Sequence, residues 1–404
     1  MRYTDIAIIG GGLAGSIAAA TLGRAGISAV LIDPHTVYPP DLRCEKLGST
    51  QIAILRKTGL AEETLRATTL DGEVWEARFG YVVDRKPSDQ QGVMYDTLVN
   101  TLRAAIPDSV PLIHAKATAI HTSAERQQVA LSNGEEISAR LVVLANGLSV
   151  GLRDALGIQR RIISACHSIT IGFDVAPRDR EAFDFPALTY WPKRSSERMT
   201  YLTLFPIGRT MRANLMVYRQ MDDPFLRRFR RAPKDTMRAM MPNLDRMMGD
   251  FEVVGPVKVR PADLYVTEGH RQPGIVLIGD AFATSCPAAG TGTDKVFTDV
   301  ERLCNVHIPT WLASDGMAVD KIDAFYDDPV KTACDDWSAA KAWHLKSLTL
   351  DNNPYWRAQR WARFLVRLGQ GTLRSLRRRL HGRHTAPRST VAREQAAHGE
   401  GRLV

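Results

Sequence analysis

A glycine-rich turn close to the start of the chain limits its fold more than any other feature. The apolar run Asp5-Ile6-Ala7-Ile8-Ile9 leads into Gly10-Gly11-Gly12-Leu13-Ala14-Gly15, which fits G-x-G-x-x-G at Gly10, Gly12 and Gly15. Gly10 permits a tight turn, Gly12 lets backbone approach a pyrophosphate, and Gly15 lets the following helix pack closely on the strand. Residues 16–24 are Ala-rich and free of proline, and Gly26 supplies a left-handed terminus, so a helix is expected there. A second apolar strand over residues 28–32 ends at Asp33, the distance at which a carboxylate meets the ribose hydroxyls of a bound dinucleotide. The helix N-terminus, with Leu13 and Ala14 in its first turn, offers N–H groups to the phosphates. The unit predicts a βαβ dinucleotide site. No arginine stands beside Asp33 in the sequence, which disfavours NADP in this crevice.

With 404 residues the chain is long enough for two domains or one large composite domain. No apolar run reaches membrane-spanning length and the first strand begins without a charged leader, so a cytoplasmic protein is expected. Cys44, Cys166, Cys286, Cys304 and Cys334 are odd in number and lack C-x-x-C spacing. That argues against a disulfide framework and against a zinc or iron–sulfur site, and no metal is expected. The net charge of +9 is local: residues 352–393 contain eleven arginines and no Asp or Glu. Nucleic acid is disfavoured as a partner, because Tyr355, Trp356, Trp361 and Phe364 supply only part of the stacking surface such binding needs.

Beyond the crevice, helical spacing is expected over residues 49–58 and 95–106, and strands over 74–83, 112–121, 128–131, 136–139 and 141–144, with a hairpin turn at Asn133-Gly134. The middle of the chain alternates as antiparallel sheet over residues 168–175, 188–192, 199–206 and 210–218. A Met-rich helical pair is expected at 223–248 and a returning strand at 251–259. An apolar strand at 274–278 then ends in Gly279-Asp280, and a helix follows over about 293–304. Residues 354–368 read as an amphipathic basic helix that Gly369 and Gly371 break, with Leu373, Leu376 and Leu380 as a second stripe. Such a segment lies either on the protein's own surface or, peripherally, on the inner face of a membrane.

Several spaced motifs together resemble the FAD-dependent aromatic-hydroxylase monooxygenases built like p-hydroxybenzoate hydroxylase. They are the glycine unit with Asp33, Arg43 ahead of the helix that ends in Lys57-Thr58-Gly59-Leu60, the strand ending in Asn146-Gly147, and Gly279-Asp280 followed by Pro287, Gly290 and Gly292. The resemblance implies an α/β fold with a discontinuous Rossmann-type, glutathione-reductase-like FAD domain over residues 1–75, 92–165 and 266–345. An antiparallel-sheet substrate domain would occupy 76–91 and 166–265, followed by a basic amphipathic helical segment at 346–383 and a disordered tail at 384–404. It also implies that Asp33 meets the adenosine ribose, Gly12, Leu13, Ala14 and Gly15 the pyrophosphate, Arg43 the phosphate and ribityl region, and Asp280 the ribityl chain. Pro287, Gly290, Gly292 and Thr293 would bring N–H groups to the flavin pyrimidine edge, where a helix N-terminus favours the anionic reduced flavin. This chain departs from the family at Asn146, where Asp is usual, at Ala283, where His is usual, and at Tyr95, which stands where an Arg is common.

By the same resemblance the reaction would be flavin C4a-hydroperoxide oxygenation by O2 of an apolar or aromatic small molecule, with NADH or NADPH as transient donor. The pocket candidates are Tyr190, Trp191, Tyr201, Phe205, Arg212, Tyr218, Phe282 and Cys286; no catalytic base is implied. A lipid-soluble substrate and a homodimer are both allowed. A flavin-dependent isoprenoid or lipid reductase or cyclase of the same fold is the alternative that Asn146 and Ala283 keep open. A flavin halogenase is a third reading, disfavoured because the Trp-x-Trp-x-Ile-Pro segment of that family is absent.

Overall fold

The chain is described over residues 1–381 by a computed structural model. Its first sheet is built on the opening strand Arg2–Ile9, flanked in parallel by Ala29–Ile32 on one side and Glu136–Leu144 on the other. Leu112–Ile113 extends the first side and Ile275–Leu277 pairs in parallel with the end of Glu136–Leu144. Because both faces are covered, these strands carry continuous apolar runs rather than alternation. Ile6, Ala7, Ile8, Val142, Val143 and Val276 are fully buried in one core. The Asn133-Gly134 turn joins Gln127–Leu131 to Glu136–Leu144 as an antiparallel hairpin.

The second sheet has seven strands in the order Phe251–Glu268, Gln159–Pro177, Thr210–Val217, Met199–Ile207, Ala187–Trp191, Glu73–Arg78 and Tyr81–Pro87. All neighbours are antiparallel except Ala187–Trp191 with Glu73–Arg78. Alternation divides its faces. Ile169, Ile171 and Phe173 pack under Phe225, Phe229, Met237 and Met240 of the covering helices. Ser168, Thr170 and Gly172 turn toward the first sheet. The expected helical pair at 223–248 is three helices, Pro224–Arg231, Pro233–Met240 and Leu244–Met248, because Pro233 opens a new helix and Asn243 takes a left-handed φ of 60°.

The proposed domain limits at 75, 165 and 265 each fall inside a strand of this sheet, since Glu73–Arg78, Gln159–Pro177 and Phe251–Glu268 run past them. The limit at 345 likewise falls inside the helix Pro329–Leu350. The expected break at Gly369 and Gly371 does not occur: Pro354–His381 is one continuous helix. A Cβ on Gly371 would lie 2.1 Å from the carbonyl oxygen of Val83, so this glycine lets the helix rest directly on the edge strand Tyr81–Pro87. Contact replaces the missing helix propensity at that position. The disorder expected at 384–404 lies outside the described residues.

The two glycines should therefore respond oppositely to alanine. Nothing lies within 4 Å of a Cβ at Gly369, so Gly369→Ala is expected to stabilise the helix by about 1 kcal/mol. Gly371→Ala should cost about 1 to 2 kcal/mol by forcing the helix off the strand. Hydrogen exchange across Pro354–His381 with chemical denaturation measures both, and equal effects would contradict the close approach.

Candidate active site

The glycine turn is shaped first by its own backbone. Gly10 has φ of 104°, and a Cβ there would lie 2.6 Å from the carbonyl oxygen of Ala145. One on Gly15 would lie 1.8 Å from the carbonyl oxygen of Gly10. Gly12 is open by contrast, with only the Tyr38 ring within reach, at 3.9 Å. The helix Leu13–Arg24 starts there without a side-chain cap, leaving its positive end free for a phosphate.

Asp33 stands beside this turn and is almost entirely buried. Its Oδ2 accepts the Gly11 N–H at 2.7 Å, and its Oδ1 accepts the His35 N–H at 2.9 Å and faces Arg103 Nη2 at 2.8 Å. Burial alone would raise its pKa, but the N–H groups of Gly11 and His35 and the Arg103 guanidinium hold it below the usual carboxylate value. Arg103 is thus the arginine that the local sequence around Asp33 did not show. It also donates to the carbonyls of Gly11 at 2.9 Å and His35 at 2.6 Å, so it is committed to shaping the turn rather than offered to a 2′-phosphate. A Cβ on Gly11 would strike its Nη2 at 2.4 Å.

The second half of the site comes from distant segments. Arg43 Nη1 meets Asp280 Oδ2 at 2.6 Å while its Nε holds Asp41 Oδ2 at 2.6 Å, and Arg260 of the second sheet takes the other Asp41 oxygen. Gly279, at φ of 60°, donates its N–H to Asp299 at 2.8 Å, and Asp299 is neutralised by the buried Lys331 at 2.9 Å. Arg153, fully buried, donates to the carbonyls of Ser149 and Ala281, each at 2.7 Å. It staples the loop that carries Asn146 and Gly147 to the turn that carries Asp280. Gln51 donates to the carbonyl of Gly290 at 3.1 Å and to Asp294 at 2.8 Å, securing the loop from Pro287 to Gly292. The helix Gly292–Arg302, with Thr293 in its first turn, opens without a side-chain cap. Both amide atoms of Asn146 are buried without a hydrogen-bond partner.

These features fit FAD. Two uncapped helix ends, an open Gly12 and orphaned amide atoms at Asn146 are what a long dinucleotide would satisfy.

The aromatic candidates divide between the two faces of the second sheet. Tyr201 donates its hydroxyl to the carbonyl of Ala288 at 2.6 Å and meets the Trp191 ring edge-on at 5.3 Å. Trp191 donates Nε1 to Glu76 at 2.6 Å, and Phe205 lies 5.1 Å from the ammonium of Lys46. Tyr218 and Cys286 share a small buried cluster with Met216, Ala288 and Ala289, and the Cys286 thiol lies 3.5 Å from the Ser168 hydroxyl.

Three candidates lie elsewhere. Tyr190 belongs to the opposite core and donates to the carbonyl of Pro242 at 2.9 Å, because strand alternation turns it away from Trp191. Phe282 packs among His270 and Tyr326 in the first core. Arg212 is held in a two-pronged pair with Glu45, at 2.8 and 2.9 Å, with Asp174 at 3.1 Å, so it is not free to receive a substrate. Glu45, Arg103 and Arg153 carried no signal in the sequence, since each is identified only by a partner remote along the chain.

Tyr218 also lines a cavity of about 430 Å³ whose other walls include Cys166, His167, Arg198, Arg219, Lys346 and Leu350. The Tyr218 hydroxyl and His167 Nε2 are buried there without a well-formed hydrogen bond, the first beside Cys286 and Thr200 and the second near the backbone of Ala342. Burial, helped by the nearby Lys346 charge, pushes His167 down to about 4, so its ring is neutral at ordinary pH.

Fold and site together define a flavin-dependent oxidoreductase with a nucleotide-binding sheet and a second, largely antiparallel sheet. The chain belongs to the FAD binding domain family, whose model matches residues 3–306. It is an FAD-dependent enzyme of the monooxygenase type. It is 26% identical over 330 residues to 3-demethoxyubiquinol 3-hydroxylase of Escherichia coli (strain K12), covering 75% of this chain and 79% of that protein. It is 30% identical over 163 residues to menaquinone reductase of Mycobacterium tuberculosis (strain CDC 1551 / Oshkosh), covering 38% and 40% respectively. Its fold matches p-nitrophenol 4-monooxygenase from Pseudomonas putida DLL-E4 with a TM-score of 0.70 at 15% identity, over 95% of this chain and all of that one.

Replacing Arg103 by Leu strands Asp33 as an unpaired buried carboxylate, an effect expected to cost about 3 kcal/mol of stability. FAD retention should weaken roughly tenfold with it, measured by flavin released on dilution. The Asp33 linkage has a definite sign. A carboxylate whose folded pKa is lowered stabilises the fold above its unfolded value near 4 and loses that contribution as pH falls through the folded one. The stability gap between the native protein and Asp33→Asn should therefore be widest above about pH 4 and close in stronger acid. Denaturation at a series of pH values tests this; a gap that grows on acidification contradicts it.

Proposed function

We propose that this chain hydroxylates an electron-rich aromatic ring, of phenol or quinol type, using O2 and electrons from NADH or NADPH. The observation that carries this reading is the seating of the aromatic wall on the flavin loop, with Tyr201 bonded to Ala288 and Tyr218 clustered with Cys286. The reaction balances as ring C–H, O2, NAD(P)H and a proton giving ring C–OH, water and NAD(P)+. When bound, FAD supplies the electron transfer and oxygen activation.

The protein's part is to place the ring and keep water out. Trp191, Tyr201 and Phe205 offer apolar walls. The buried hydroxyl of Tyr218 and the neutral His167 Nε2 are suited to a ring hydroxyl, one donating and the other accepting. Arg43 and Asp280, with Arg153 behind the turn, hold the ribityl region in register. Quinone-type names among the relatives support a ring substrate carried on a lipid-soluble molecule.

A reductase reading is favoured by the similarity to menaquinone reductase, with Asn146 a neutral amide whose buried atoms lack partners. Incubation with 18O2 and NAD(P)H separates the two. Label in the product supports hydroxylation, whereas a reduced, unlabelled product formed without oxygen supports the reductase. Tyr218→Phe is expected to raise KM for the ring substrate about tenfold while FAD content stays unchanged. An unaltered KM would remove Tyr218 from the pocket.

A further inference from the structure

The terminal helix Pro354–His381 is amphipathic in the inverted sense. At 1.5 Å per residue it is roughly 40 Å long, and its basic side faces the protein. Arg367 pairs with Glu76 at 2.9 Å, Arg378 with Glu73 at 2.7 Å and Arg374 with Asp84, all on the last two strands at one edge of the second sheet. Arg360 donates to the carbonyls of Leu348 at 3.0 Å and Asp351 at 2.7 Å. Phe364 packs on Phe79, and Gly371 brings the helix axis down onto the strand.

The opposite side is apolar and uncovered. Leu365, Leu368, Leu373, Leu376 and Leu380 are between 39% and 81% exposed along the helix, and Trp361, 55% exposed, lies at the margin of this stripe, where its ring also meets Phe79 at 5.6 Å. Isolated exposed leucines need no explanation, but a continuous stripe of them marks a surface that another apolar phase covers. No helix among the described residues is long and apolar enough to cross a membrane.

We propose that this outward stripe is a membrane-docking surface that seats the protein on an anionic bilayer. Charge decides between a bilayer and a second copy of the chain. Residues 352–393 contain eleven arginines and no carboxylate; Arg367, Arg374 and Arg378 are spent on Glu76, Asp84 and Glu73, and the segment keeps a net positive charge in a chain that carries +9. Pairing two copies through this helix would bring two arginine-rich segments together, whereas an anionic headgroup layer neutralises them. Arg357 is exposed just before Trp361 and the stripe, placed to meet headgroups as the leucines enter the acyl boundary. Trp361 and the exposed Tyr355 are of the type that settles at that boundary. The ion pairs to Glu73, Glu76 and Asp84 hold the helix on the body while its apolar side stays available. The surface would suit a lipid-soluble ring substrate, but it stands on the helix alone and survives a different reaction chemistry.

The test uses full-length, FAD-loaded protein and sedimentation with vesicles of phosphatidylcholine alone or mixed with phosphatidylglycerol. Binding to the mixed vesicles is expected, with a partition coefficient at least about tenfold lower for Leu365→Gln/Leu376→Gln. Flavin content and melting temperature of that variant report whether it is folded. Brominated phosphatidylglycerol should quench a component of the native tryptophan emission that Trp361→Phe lacks, which needs no destabilising substitution. Native protein that stays in the supernatant with the mixed vesicles, or equal sedimentation of native and double variant, overturns the proposal. So does a native dimer in solution that the double variant dissolves without any loss of vesicle binding. Activity on any ring substrate is not the readout, so failure here is distinguishable from failure of the proposed reaction.

Discussion

One guanidinium joins the two halves of the site. Arg43 lies just beyond the first βαβ unit, yet its partner Asp280 is 237 residues further along the chain, 2.6 Å away in space. Its other side holds Asp41, which Arg260 on the second sheet also grips. The loop after the first βαβ unit, the turn that carries Asp280 and the second sheet therefore meet through a single chain of alternating charges. Such a chain tolerates partial burial because its inner members, Asp41 and Arg43, are each compensated on both sides; removal of either would leave its neighbours desolvated and unpaired.

The same device recurs wherever a cofactor loop must be held. Lys331 neutralises Asp299, which receives the N–H of Gly279. Arg103 neutralises Asp33, which receives the N–H of Gly11. In each case a buried cation fixes a carboxylate, and the carboxylate fixes a glycine turn that has no side chain of its own to hold it. Arg153 omits the carboxylate and bonds two loop carbonyls directly. The glycines give the loops their shape, and the ion pairs keep that shape from being lost to the entropy that glycine otherwise gains on unfolding.

The terminal helix shows what charge pattern alone leaves open. The arginine-rich pattern left open whether the helix lies on the protein or on a membrane, and the two glycines suggest a break. Carboxylates on the sheet edge, Glu73, Glu76 and Asp84, hold its basic side on the protein. The backbone of Val83 reverses the expected break, because the closest approach falls at Gly371. The helix thereby covers an edge strand that would otherwise present unpaired backbone, and exposes leucines in its place.

The residues alone determined the nucleotide-binding unit, the alternation of the second sheet and the distant Gly279-Asp280 turn. Each of these is a local rule: a glycine that must turn, a period of two, an apolar run bounded by turn residues. Hence the strands and helices around Gly10, Asp33, Asn133 and Gly279 fall close to where spacing puts them. Whether Tyr190 or Trp191 faces the flavin loop was not legible, because adjacent residues in a strand point to opposite faces and only the covering helices show which face is core. That Arg212 is spent on Glu45, that Arg103 attends Asp33 and that the basic helix turns its leucines outward were decided by tertiary structure. Ion pairing acts through space between residues remote along the chain, and no local pattern records its partner.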